Sequence, residues 1–233
     1  LNIKVTRPDI NECFADFITT DNIFYYALGG IKAVGYEAIS NVVKERVKNG
    51  KFSSINDFLK RVNPKDMNKL QLEGLVKAGA FDNLNINRQA LFDSIPNFIL
   101  KTKNIFENKS ANQINLFSED EILENDIVND IEDWNFEERL SKEFEAVGFF
   151  ISNHPLNQFT EIFNDYKIKD YLEFNLNDEI KEANIACTLL KVQERKTAKG
   201  NSYAVLKLTD LTSVFELFIF SDILELNREI LIE

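Results

Sequence analysis

The sequence predicts an α+β protein, mainly α, with a helical region first and a short run of antiparallel strands last. Three observations predict it. Apolar residues recur at helical spacing between turn signals through the first hundred residues; after about residue 183 the period switches to two; and a polar stretch, 104–133, with weak periodicity lies between these regions.

The elements follow in order. Residues 1–23 give an extended start around Pro8 and a short apolar stretch, CFADFI, and from Phe24 the pattern turns helical. EAISNVVKERVK (37–48) places Ala38, Val42 and Val43 on one face, with Gly50 as a stop. Ser53 or Ser54 is positioned to cap a helix through INDFLKRV, which Pro64 closes. MNKLQLEGLVKA (67–78) repeats the spacing with Leu70, Leu72, Leu75 and Val76 and ends at Gly79. Asn87 is placed to cap RQALFDSIPNFILKTK, with a kink at Pro96. Helical spacing returns in FEERLSKEFEAVGFF and in PLNQFTEIFNDY. Three strands close the chain: ANIACTLLKVQERK, SYAVLKLTD and SVFELFIF, the first two joined by TAKGN and the last two by LTS. Three strands suggest a small barrel but cannot close one.

At 233 residues the chain can hold one large domain or two small ones, and its 20 Phe supply bulky core side chains. No apolar run is long enough to span a membrane. Cys13 and Cys187 read as reduced, partly buried thiols of a cytosolic protein, and two Cys with one His, scattered, do not make a zinc site. Leu1 and Glu233 read as cut ends rather than natural termini.

A net charge of −11 argues at first against nucleic acid, but the charge is segregated. Residues 31–110 carry 14 Lys and Arg against 8 Asp and Glu, whereas residues 111–182 carry 5 against 19. Such asymmetry points to modules with different partners.

Three stretches are candidates for function. LGGIKAVGYEAISNVVKER (28–46) has the form helix, tight turn, helix. Small residues in the turn let backbone approach a phosphate; the N–H groups of Val34, Gly35 and Tyr36 would then meet it with a favourable helix dipole. Lys32, Lys44 and Lys48 add positive charge, and KAGAFDNLNINRQAL (77–91), with Gly79 in its turn, is a weaker second copy. Two ordinary helical corners fit the same spacing.

Gln113-Ile114-Asn115-Leu116-Phe117 is apolar within an otherwise hydrophilic stretch. Leu116 and Phe117 could fill a partner's pocket while the Gln113 amide directs hydrogen bonds, or they could tack the segment onto its own domain. On the strands, Lys191, Arg195, Lys196, Lys199 and Lys207 alternate with Tyr203 and Phe residues, a composition that suits single-stranded nucleic acid or, equally, a solvated sheet face over a core. His154 in ISNHPL makes no catalytic arrangement with a Cys or Ser nucleophile and reads as capping or packing a helix start beside Pro155. The acidic run 119–133 reads as solvated rather than metal-binding, and nothing reads as an active site.

Taken together, RPDIN (7–11), ALGGIKAVG (27–35), FSSINDFLKRV (52–62), LEGLVKAGAFD (72–82), NRQALF (87–92), QINLF (113–117), EFEAVGFFISNHPL (143–156) and TAKGNSYAVLKLTDLTSVFELFIF (197–220) resemble the alpha subunit of bacterial DNA polymerase III, the C-family replicative polymerase. The resemblance runs in family order over nearly the whole chain. It implies the end of the fingers region at 1–30, a tandem helix-hairpin-helix DNA-binding domain at 31–110, an acidic linker with the clamp-binding peptide at 111–133, a helical connector at 134–182 and the first strands of an OB-fold barrel at 183–233. Duplex DNA, the ring-shaped sliding clamp (the beta subunit) and single-stranded template are the implied partners, with other holoenzyme subunits engaged through regions outside this chain. The catalytic carboxylates and their magnesium lie upstream in the family, so the chain alone is expected to polymerise nothing and to hold no cofactor. Ala33 departs from the family's usual Gly in the first hairpin, and Asn153 stands where Gly usually precedes HPL.

The competing reading is a stand-alone nucleic-acid-binding protein with hairpin and OB modules. A protein-binding adaptor, suggested by the net charge, fits less well with the basic 31–110 segment.

Overall fold

The computed structural model describes residues 3–110, 128 and 130–231, and the chain divides into two compact units, Leu1–Ser152 and Asn153–Glu233. The first unit opens with a three-stranded sheet that the sequence pattern hid. β1 (Lys4–Thr6) runs parallel to β3 (Ile23–Tyr25), which pairs antiparallel with β2 (Ile18–Thr20). Phe24 therefore sits in a strand rather than at a helix start. Strands of three residues are too short to display a period of two, and Phe24 is held by stacking on Phe17 at 5.4 Å.

A single 3₁₀ turn at Leu28–Gly30 leads to α1 (Tyr36–Asn49), α2 (Ile55–Arg61), α3 (Lys69–Lys77), α4 (Arg88–Ser110) and α5 (Phe136–Val147). The start signals act locally. Ser54 accepts from the Asp57 amide at 3.1 Å, and Asn87 from the Ala90 amide at 2.9 Å. Asn68 and Gln71 exchange a reciprocal pair of bonds at 3.0 and 2.9 Å, a capping box that opens α3. Asn135 accepts from the Glu138 amide at 2.9 Å to open α5. α4 is one helix across Pro96.

Helix faces differ from the sequence reading in two places. α1 buries Ile39, Val42 and Arg46, with Ala38 and Val43 only half-buried. The Arg46 guanidinium donates to the Ile10 and Cys13 carbonyls at 2.6 and 2.7 Å, which satisfies it inside the core. On α3, Leu72, Leu75 and Val76 face inward, whereas Leu70 is 61% exposed. Two residues from Leu72, it lies about 200° around the axis. The core joins Ile10, Leu28, Ile39, Phe58, Leu75, Leu91 and Ile95, with Phe58 touching Phe52 and Phe81 edge-on at 5.1 and 5.0 Å.

In the second unit, Pro155–Ile162 is a 3₁₀ helix, and His154 caps it by accepting the Leu156 amide on Nδ1 at 3.1 Å. After α6 (Tyr171–Leu176), β4 (Thr188–Lys196), β5 (Ser202–Thr209) and β6 (Val214–Phe220) form an antiparallel sheet in the order β4-β5-β6. α7 (Ser221–Asn227) covers one face with Leu224 over Ala204, Leu206 and Leu208. α6 and α7 carried too little periodicity to predict from sequence. Among the described residues the sheet does not close into a barrel. The thiols part company: Cys13 is buried, whereas Cys187 is exposed. Burial pushes Cys13 up to about 11, which leaves it protonated and inert at neutral pH.

Candidate nucleic-acid interface

The tight turn between Gly30 and α1 is built by its neighbours. The Lys32 amide donates to the Ala146 carbonyl at the end of α5 at 2.9 Å, and the Val34 amide to Ile31 at 3.1 Å. Val34 is buried, so its N–H serves the turn rather than a ligand. α3 supports the turn from below through Gly74: a Cβ there would meet the Lys32 carbonyl oxygen at 2.7 Å and the Ile31 and Val34 side chains at 3.4 Å. Only a glycine permits that approach. The sequence signal for it is a lone glycine inside a helical pattern.

Ala33 sits at φ +66°, in the left-handed region that a glycine would occupy without strain. Gly35 then takes an extended conformation, and α1 begins at Tyr36 without a side-chain cap. The first-turn amides of Tyr36, Glu37 and Ala38 are thus left without a side-chain partner, unlike those of α2, α3, α4 and α5. Lys32, Ala33, Gly35 and Tyr36 are exposed around this end, as are Lys44 and Lys48 further along. At 1.5 Å per residue, Lys44 and Lys48 lie about 12 and about 18 Å from the first turn, so the three lysines cannot share one phosphate.

The second turn is different. Gly79 has φ +77°, is buried, and donates its N–H to the Val76 carbonyl at 3.0 Å. Arg88 fills the space where its side chain would be. Gly79 is therefore a packing position whose N–H is engaged within the turn.

Residues Gln113, Ile114, Asn115, Leu116 and Phe117 lie outside the described residues. On the sheet, register places Arg195 opposite Tyr203, Tyr203 opposite Phe220, Val205 opposite Phe218, and Lys191 opposite Lys207. One face thus gathers Lys191, Arg195, Tyr203, Lys207, Phe218 and Phe220, the two Phe being 55% and 63% exposed. Lys196 points to the other face and Lys199 belongs to the 197–201 turn. Among the described residues no cluster of His, Cys, Asp and Glu is arranged to hold a metal, and no helix is long and apolar enough to cross a membrane.

A helix-hairpin-helix family model matches residues 2–91, which include the whole turn and α3. The chain is 30% identical over 240 residues to the DNA polymerase III subunit alpha of Borreliella burgdorferi, an alignment covering all of this chain and 21% of that protein. It is 33% identical to the Campylobacter jejuni subunit, over 97% of this chain and 19% of the relative, and 38% identical to the Rickettsia bellii subunit, over 87% and 17%. The chain spans about a fifth of the length of these curated relatives. With a helix-hairpin-helix region followed by an unclosed three-stranded sheet, and with these matches running along nearly its whole length, the chain belongs to the DNA polymerase III alpha subunit family.

Proposed function

We propose that this chain grips duplex DNA on behalf of a template-directed DNA polymerase, with the turn at 31–35 and the uncapped start of α1 as the contact to one backbone phosphate. The observation that carries this reading is the open first turn of α1 inside the helix-hairpin-helix match, beside the exposed Lys32. Backbone amides and a helix dipole favour an anion without reading base sequence, so binding is sequence-independent. Lys44 and Lys48 serve neighbouring phosphates. The exposed Lys191, Arg195 and Phe220, with the half-buried Tyr203 among them, suit the single-stranded template, where aromatic faces stack on bases.

In this reading QINLF (113–117) tethers the polymerase to the sliding clamp and so supports processive synthesis, the nucleotide-incorporating chemistry and its magnesium belong to other parts of the polymerase, and the protein works in the cytoplasm with the other holoenzyme subunits. Titration of a labelled duplex at several salt concentrations tests the grip. Log affinity should fall linearly with log salt, with a slope of about −0.9 per phosphate neutralised, and Lys32→Ala should weaken binding and flatten the slope by about one unit. Salt-independent binding, or a Lys32 variant that binds like the parent, would overturn the assignment.

A further inference from the structure

The turn at 31–35 has a neighbour whose chemistry the packing of α3 leaves unused. Gln71 is 8% exposed, and its side chain is oriented without ambiguity. Oε1 accepts the Asn68 amide at 2.9 Å in the capping box, so the NH₂ group must point the other way. That direction is toward Gly35, where a Cβ would sit 3.3 Å from Gln71 Nε2. Among the described residues none accepts a hydrogen bond from Nε2. The Nε2 end of this largely buried side chain thus lies beside Gly35, the residue that precedes α1.

The first-turn amides of α1, which lack a side-chain partner, and the Gln71 NH₂ therefore both lie beside Gly35, with the exposed Lys32 three residues before it in the chain. The register is set by α3 itself. Gln71 and Gly74 are three residues apart on one face, Gly74 against the Lys32 carbonyl and Gln71 against Gly35. The glycine that seats the turn also sets its distance from the glutamine.

We infer that Gln71 is a further phosphate ligand, donating from Nε2 to a phosphodiester oxygen held at the start of α1. The inference rests on the duplex-gripping reading above. It also gives Gly35 a second purpose, since a side chain there would crowd the donor.

The position allows a discriminating test in the full chain. Gln71→Glu keeps an acceptor for the Asn68 amide, so the capping box and the melting temperature should be preserved, but it replaces the donor with a carboxylate. Gln71→Met removes the donor without adding charge. Anisotropy of a fluorescein-labelled duplex should show binding weakened about tenfold or more for Gln71→Glu, and by a few-fold to tenfold for Gln71→Met. In the parent, the Gln71 side-chain amide resonances should shift on addition of duplex.

If the parent fails to bind duplex, both readings fall. If it binds and Lys32→Ala weakens it while both Gln71 variants bind like the parent, only the glutamine inference falls. Loss confined to Gln71→Glu would assign the effect to charge repulsion and overturn the inference as well. Should Gln71→Met lower the melting temperature, the amide resonances of the parent decide: unmoved by duplex, they exclude Gln71 as a ligand.

Discussion

Arg88 occupies the place of the side chain that Gly79 lacks: a Cβ on Gly79 would lie 2.6 Å from the Arg88 Cζ and closer still to Nη2. The guanidinium is held there from several directions. Its Nε and Nη2 donate to the two Asp82 carboxylate oxygens at 2.8 and 2.7 Å, and Nη1 donates to the Lys77 carbonyl at 3.1 Å. The end of α3 and the start of α4 are thus joined through one buried arginine, 3% exposed, that cannot step aside.

Gly79→Ala should accordingly be severe. The residue would have to take φ +77°, which costs about 1 kcal/mol for an L side chain, and would strike a group pinned by charge-assisted bonds. We expect a loss of about 3 kcal/mol or more, with a fall in melting temperature of roughly 6–12 °C. Thermal unfolding followed by circular dichroism checks it. A variant within 1 °C of the parent would mean that Arg88 relaxes freely.

Glu143 is the other anion of this network and is wholly buried. Its Oε1 accepts the amides of Ile151 and Ser152, each at 2.8 Å, while Oε2 lies 3.5 Å from Arg88 Nη1. Glu143→Ala would strand two amides and remove one counter-charge from Arg88, so a loss of about 3–5 kcal/mol is expected. Glu143→Gln keeps an acceptor for the amides and should lose less, about 1–3 kcal/mol. Equal losses in denaturant titrations would show that the ion pair contributes nothing beyond the two hydrogen bonds.

Much of this fold could be read in the sequence because its helix starts are written in short side chains. Ser54, Asn87 and the glycine after α3 each act within four residues of themselves, and such signals survive without tertiary context. The β1–β3 sheet could not be read, because its parallel pairing joins Lys4 to Ile23 across a gap no local rule spans. The site was half legible. Small residues and lysines marked the turn, but Gln71 and Gly74 meet it only through the packing of α3, and a capping glutamine looks complete in sequence.

Ala33→Gly should stabilise the protein. Ala33 holds φ +66° in an exposed turn, where glycine would relieve about 1 kcal/mol of backbone strain against some added chain entropy in the unfolded state. The expected net gain is about 0.5 kcal/mol, with tighter or unchanged duplex affinity because no donor is lost. Destabilisation in a paired urea titration would show that the alanine methyl contributes packing that outweighs the strain.

Asp210 gives the second unit a defined acid sensitivity. Burial pushes its carboxyl up, but the amides of Tyr171, Thr212 and Ser213 outweigh that and hold its pKa below the ordinary value of 3.8. A depressed folded pKa means that the stabilisation is fully present above the unfolded value and is lost as pH falls through the folded one. The Thr212 and Ser213 amides, 2.8 and 2.7 Å from Oδ1, should therefore stay protected from exchange at pH 5 and lose protection only below about 3.8. Asp210→Asn should remove most of that acid-side slope. Protection in the variant that still tracks pH as in the parent would assign the sensitivity to another carboxylate.

The clamp tether is the part of the proposal that stands furthest from the DNA grip, and it can fail alone. In QINLF the apolar pair Leu116 and Phe117 follows Gln113 within a strongly acidic stretch, a composition with little reason to be apolar unless the pair docks. A short peptide that orders on binding is limited in affinity, so a dissociation constant of roughly micromolar order is expected for the isolated segment against the sliding clamp of the same organism. Anchor truncations cost about 2 kcal/mol or more each, and the double change Leu116→Ala, Phe117→Ala should abolish measurable binding in calorimetry. Gln113→Ala should cost less, since water replaces part of what its amide supplies. Neither change should touch duplex affinity, because the proposed DNA contacts lie in residues 31–48 and 71. A double variant that binds clamp like the parent would remove QINLF as the tether while leaving the DNA grip untouched.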